Sequence, residues 1–262
     1  MKPILLHIPH ASLFIPENVR PTFLVDQTEL ERELLVMTDR HTDELFQLES
    51  AERLVFGVSR LVVDPERFED DADEPMAKRG MGAVYTRTSS GSPLKSEAGR
   101  EHLISEYYRP HHEELNDWAR NALSEHGRCL LIDCHSYPSQ PLPCDQDQTP
   151  ERPMFCVGTD SFHTPPTLAA SVVTELEKLA ETFTPSPLST FSGGVLVDRP
   201  YSGTMVPSQF YGLDPRVQSI MIEFNRSLYM DEETGEKLLS FHSMRGSLAE
   251  VLWVVAETWA RG

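Results

Sequence analysis

Short apolar runs alternate along the chain with stretches whose apolar residues recur every three or four positions, a pattern that predicts a sheet covered by helices. "PILLHIPHA" opens as a strand that ends at residues 7 to 10. "DQTELERELLVMTDRHTDELFQLE" (26 to 49) predicts one helix, with Asp26 and Glu29 spaced as a capping box and Leu30, Leu34, Leu45 and Phe46 on its apolar side. "RLVFGVSRLVVDPERF" (53 to 68) is rich in β-branched residues and predicts two strand segments. The acids, glycines and serines of 69 to 94 predict a long loop, and loops of that length in compact domains commonly serve as a rim or lid. A helix follows over 97 to 126, ended or kinked by Pro110.

The second half repeats the alternation. "CLLIDCHSYP" and "MFCVGTD" are strands, 165 to 183 contains a helix, and "FSGGVLVDRPYSGT" is a glycine-containing connection. "SIMIEFNRSLYMD" is a further strand and a helix runs from about 236 to 260. The proline-rich stretch 137 to 153 is flanked by strands, so it is read as a structured loop rather than a linker. No internal repeat is visible, and residues 1–262 are expected to form a single α/β domain.

Composition narrows the function classes. With 262 residues and 39% of them hydrophobic, the chain has enough apolar material for a continuous core. Its 41 acidic against 23 basic residues give a net charge of -18, which argues against nucleic acid or an anionic membrane as partner. The four cysteines form no C-x-x-C pair, so reduced thiols are expected rather than a zinc ribbon or a redox motif. The N-terminal apolar run is too short for a signal peptide and no run approaches 18 apolar residues, so a cytoplasmic location is expected.

Candidate chemistry sits where the apolar runs end. In open α/β sheets the ligand site lies beyond the carboxyl ends of the strands. His10 follows "ILLHIP", His135 follows "LLIDC" and Glu223 lies in "IMIEFNR". Two histidines and a carboxylate with an open position make a hydrolytic zinc site, and a further carboxylate is then needed to take the proton from water. Asp39 and Asp43, four apart in "TDRHTDEL", would share a face if that segment were helical. "PHHEEL" offers His111, His112 and Glu114 but lacks the H-E-x-x-H order. There is no G-x-S-x-G elbow, Walker A loop or dinucleotide fingerprint.

Taken together, "HIPHAS" (7 to 12), "TDRHTDELF" (38 to 46), "SRLVVDPER" (59 to 67), "YYRPHHEEL" (107 to 115), "LIDCHSYPS" (131 to 139), "VGTD" (157 to 160), "RPYSGT" (199 to 204) and "IMIEFNRSLYMDE" (220 to 232) resemble the N-formylglutamate amidohydrolase family in content and order. The resemblance implies a mixed sheet flanked by helices, the phosphorylase/hydrolase-like fold related to zinc carboxypeptidases. It also implies one divalent metal, zinc first, and a small N-acyl amino acid as substrate. It makes His10, His135 and Asp43 the metal ligands, with Asp39 the alternative to Asp43. Glu223 becomes the general base and Arg60 the group on the carbonyl oxygen. Arg67, Asn225, Arg226 and His112 fall on the substrate side. Asp133 either orients a histidine or caps the following turn.

One position departs from the pattern. Where the resemblance puts Asn beside Arg67, this chain has Glu66, followed by Glu69, Asp70, Asp71, Asp73 and Glu74. A carboxylate in the pocket would oppose an anionic substrate, so either Glu66 points away or the substrate is not N-formylglutamate.

Overall fold

In the computed structural model, which describes residues 3–96, 98–183 and 191–261, six strands form one mixed sheet. They are β1 (Ile4–Ile8), β2 (Glu52–Val55), β3 (Cys129–Tyr137), β4 (Phe155–Gly158), β5 (Val195–Val197) and β6 (Val217–Asn225). The order is β2-β1-β3-β6-β4-β5, parallel throughout except where β4 runs against β6. The strand β5 falls within the stretch that the sequence pattern left as a glycine-containing connection. Of the two strand segments expected over 53 to 68, only β2 forms, and 56 to 68 is irregular.

The helices are α1 (Gln27–Met37), α2 (Thr42–Leu45), α3 (Arg100–Leu103), α4 (Arg109–His126), α5 (Pro166–Thr182) and α6 (Phe241–Arg261). A π-helical turn, Ile104–Tyr108, joins α3 to α4. Pro110 in the first turn of α4 has no N–H to continue the regular ladder, which places the irregularity just before it.

The central strands carry two messages on alternate residues. Strand side chains alternate between faces, so residues paired across the sheet point the same way. Ile4, Leu6 and Ile8 of β1, Leu130, Ile132 and Cys134 of β3, and Ile220, Ile222 and Phe224 of β6 all lie in one buried cluster. Leu168, Val172, Leu176 and Leu179 of α5 and Phe241, Met244, Leu248 and Leu252 of α6 recur at helical spacing and cover that face.

The intervening residues face the other way. Leu5 and Leu131 pack with Leu115 of α4 near the amino ends of the strands. Further along, the same face turns polar at His7, Asp133, His135 and Glu223, all buried.

The segment expected as one helix over 26 to 49 breaks after Met37. Asp26 caps α1 by accepting from the Glu29 N–H at 2.9 Å, as its spacing predicts. Thr38 then leaves the helix extended and His41 takes a left-handed φ of 68° before α2 begins. Leu45 and Phe46 continue into the cluster on the apolar face.

A second cluster lies under the connection between β2 and α3. Leu30 and Met37 of α1 pack there with Leu61, Val62, Val63, Met81 and Tyr85. The 69 to 94 stretch is therefore a partly buried wall, containing a short 3-10 turn at Pro75–Arg79.

Candidate active site

The polar ends of β1, β3 and β6 open into a cavity of about 680 Å³. His10, Asp39, Arg60, Arg67, His112, His135, Glu223 and Arg226 line it.

At its centre, Asp39 Oδ2 lies 3.2 Å from His135 Nδ1 and 3.6 Å from His10 Nδ1. These three side chains present ligand atoms close enough to share one ion. The break between α1 and α2 makes this possible. Freed from the helix, Asp39 donates its backbone N–H to the His10 carbonyl at 3.0 Å and turns its carboxylate into the sheet. Asp43 lies in α2, half-buried, with its carbonyl accepting from Gln47 and Arg53. The resemblance's first choice, Asp43, thus gives way to its alternative, Asp39, whose carboxylate is the one that reaches His10 and His135.

Each histidine has a carboxylate beside the nitrogen that faces away from Asp39, hydrogen-bonded for His10 and in ion-pair contact only for His135. His10 Nε2 is 2.8 Å from Asp64 Oδ1, and His135 Nε2 is 3.1 Å from Asp133 Oδ1. Carboxylates behind ligating imidazoles fix ring orientation and raise basicity. His10 Nδ1 is buried without a hydrogen-bond partner. A buried, unpaired nitrogen pointing with a second imidazole nitrogen toward one carboxylate oxygen is a donor set that fits a divalent ion. Although burial alone would raise it, the neighbouring His10 and His135 imidazoles and the Arg226 charge hold Asp39 well below the usual carboxylate range.

The arginines divide by commitment. Arg60 donates to Asp64 through Nη2 at 2.8 Å and also to the Tyr85 hydroxyl and the Met37 carbonyl. Arg226 donates to Asp39 Oδ1 at 2.8 Å and to Val36 and Ser136. Arg67 Nε lies 3.7 Å from Asp64 Oδ2 and is buried without a hydrogen-bond partner.

Two further expectations change on contact with the structure. Asn225 is spent on the backbone, donating to the Pro153 carbonyl and accepting from the Ser227 N–H, and it does not line the cavity. His112 does line it, but its Nε2 is 2.9 Å from the Pro65 carbonyl, so it also steadies the turn that carries Glu66 and Arg67. Burial brings His112 down to about 4, leaving it neutral.

Glu66 stands in the cavity wall. Its Oε1 lies 3.2 Å from His7 Nδ1 and its Oε2 3.7 Å from His135 Nε2. His7 also meets Asp133 Oδ1 at 2.9 Å and His111 Nε2 at 2.9 Å. Burial works against a charge on His7, yet Asp133 and Glu66 push it up to about 9, so it is an imidazolium. Burial and the facing His7 push His111 down to about 2, so His7 donates to it. Asp133 accepts from the Met205 N–H with its second oxygen at 2.9 Å, and β3 continues past it. Its orienting role is therefore visible and a turn-capping role is not.

Glu223 pairs in register with His135 across β3 and β6 and is 6% exposed. Burial is the main reason its carboxyl is pushed up to about 8.

Asp64 and His7 carry much of this geometry although the sequence does not single them out, whereas Glu66 is marked there as the departure beside Arg67. The two missed signals are faint: Asp64 directly precedes Pro65 after an apolar run, and His7 is a polar residue inside one.

An α/β protein with a histidine–carboxylate centre at the carboxyl ends of its parallel strands fits a hydrolase class. A family model described as N-formylglutamate amidohydrolase matches residues 2–230, and the chain belongs to that family. Among solved structures, N-formylglutamate amidohydrolase from Ralstonia eutropha is similar over 99% of this chain and 95% of its own, with 23% identity and a TM-score of 0.80. A gene product from Agrobacterium tumefaciens is similar over 99% of this chain and 91% of its own, at 16% identity and a TM-score of 0.62. At those identities the likeness speaks for the fold. No curated protein sequence matches the chain.

Proposed function

We propose that this protein is a metal-dependent hydrolase that cleaves the amide bond of an N-formyl, or other small N-acyl, amino acid. The observation that carries the reading is the pair of imidazole Nδ1 atoms converging on Asp39, with Asp64 hydrogen-bonded to the opposite nitrogen of His10 and Asp133 3.1 Å from that of His135. His10, Asp39 and His135 would hold one divalent ion, zinc first. Such an ion supplies Lewis acidity and a water whose pKa falls to about 7.

The chain's own residues account for the rest. Glu223, with its carboxyl near 8, exchanges a proton close to neutral pH. It takes the proton of the attacking water and returns it to the leaving amine. Arg60 stands beside Asp64 at the cavity wall, where a guanidinium can stabilise charge developing on the acyl oxygen. Arg67 receives the substrate carboxylate, for which a guanidinium offers two parallel donors.

The test combines metal content with turnover. Protein reconstituted with zinc and freed of excess ion should hold about one ion per chain and release amine from an N-formyl amino acid. Glu223→Gln should keep the ion and lose roughly 10²-fold or more in kcat. Full turnover in that variant would remove Glu223 from the mechanism, and loss of the ion would make it a ligand.

A further inference from the structure

We infer that the substrate is an N-acyl derivative of a monocarboxylic amino acid with an apolar, preferably aromatic, side chain, held by Arg67 at its carboxylate and by Phe68 and Tyr211 at its side chain. The inference rests on the hydrolase reading above and narrows it.

Charge supplies the first half of the argument. N-formylglutamate carries two carboxylates, and a buried site that accepts both needs a cation for each. Among the described residues lining the cavity, three are arginines. Arg60 is engaged by Asp64 and Arg226 by Asp39, which leaves Arg67 as the guanidinium with capacity for a ligand. The other charged groups on the wall beyond the metal centre are acidic: Glu66, Glu74, Asp145 and Asp160. Glu66 shares the single charge of His7 with Asp133, so the imidazolium has no excess to offer a second substrate carboxylate.

The apolar wall supplies the second half. Met37, Met76, Met81, Met205 and Met221 all line the cavity. Thioether side chains adapt to apolar and aromatic groups and make favourable contacts with rings. A cavity near 680 Å³ is in the range that holds drug-sized ligands, larger than a formyl group on a short acidic amino acid requires.

Two aromatic rings mark the mouth. Phe68 directly follows Arg67, and Tyr211 comes from the connection before β6; each is 50% exposed although both line the cavity. Their centroids are 6.4 Å apart at 61°, an edge-to-face arrangement. Tyr211 is stacked on His163 at 6.0 Å and 17°. His163 is fully buried, held at Nδ1 by the Val217 carbonyl at 2.7 Å and at Nε2 by the Gly212 N–H at 2.8 Å. The Tyr211 ring therefore rests on a fixed platform, and half-exposed rings on a preorganised support beside a ligand site are suited to contact an apolar substrate group.

The experiment uses zinc-loaded protein and two readouts. Amine release is measured for N-formylphenylalanine, N-formylleucine, N-formylglutamate and N-formylglycine. Binding of the first and third is measured by calorimetry on zinc-loaded Glu223→Gln. N-formylphenylalanine should exceed N-formylglutamate in kcat/KM and in affinity by roughly tenfold or more. Phe68→Ala and Tyr211→Ala should each lower kcat/KM for N-formylphenylalanine about 3- to 10-fold, mainly through KM, and by a clearly smaller factor for N-formylglycine, which has no side chain to reach them. Preference for N-formylglutamate in both readouts overturns the inference and leaves the hydrolase reading standing. So does equal loss on all four substrates in the alanine variants. If no compound is hydrolysed, the hydrolase reading falls, and the calorimetric comparison still decides the inference: tighter N-formylphenylalanine supports it and equal or weaker binding sinks it.

Discussion

Asp39 and Asp43 differ by one helical turn in sequence and by the whole character of their surroundings in the fold. Asp39 is 1% exposed and meets His10, His135 and Arg226, whereas Asp43 is half-buried on α2. Asp39→Ala should therefore abolish metal retention after dialysis, and Asp43→Ala should retain the ion fully; elemental analysis of the two variants side by side checks this. Asp64 acts one step behind. Asp64→Asn removes the carboxylate that orients His10 and leaves Arg60 without its main partner, so metal affinity should fall about 10- to 100-fold. Competition with a chelator of known affinity measures it. Unchanged affinity would mean that His10 is oriented by packing alone.

At the scale of elements, the segment 56 to 68 matters more than its lack of regular structure suggests, because it carries Arg60, Asp64, Glu66 and Arg67 in one turn-rich stretch. Lys95 holds that stretch from behind: its Nζ donates to the carbonyls of Leu61 and Val62 and it is 3% exposed. Burial lowers the Lys95 ammonium from about 10.5 to about 7. The unfolded chain then binds more protons than the folded one between those values, so stability should rise with pH from about 7 toward about 10.5 and be weakest below 7. Denaturant melts across that range should show a slope in the wild type that Lys95→Met lacks. The sequence made five of the six strands, the carboxyl ends of α4, α5 and α6 and the strand-end positions of His10, His135 and Glu223 legible, because apolar periodicity and strand ends are local signals; β5 and the absence of a strand over 56 to 68 were not legible. Helical spacing left Asp39 and Asp43 equivalent because nothing in "LLVMTDRHTDEL" requires a break; the break accompanies tertiary bonds from Asp39 to the His10 and Arg226 segments. The sequence missed Lys95 for the same reason, since only the fold brings residue 95 beneath residues 61 and 62.

Over the whole molecule, one sheet separates stability from chemistry by the direction its residues point. Ile132 faces the helices α5 and α6, and its neighbour Asp133 faces the site. Ile132→Ala should cost about 2–5 kcal/mol in denaturant unfolding and leave metal content intact. Asp133→Asn should weaken metal retention and turnover, since it removes the brace on His135 and half of the partnership of His7. A destabilised but metal-free Ile132→Ala protein under native conditions would show that the two faces are coupled. This two-faced writing also limits how such a chain can diverge. Every second residue from Leu130 to His135 belongs to one text and the rest to the other. Substitutions edit one text at a time, but a single-residue insertion or deletion inside β3 transposes them, sending imidazole and carboxylate into the oil and isoleucine into the cavity. Length within this strand is therefore frozen, and lineages carrying the fold would be expected to vary in length in the exposed stretch around 69 to 73.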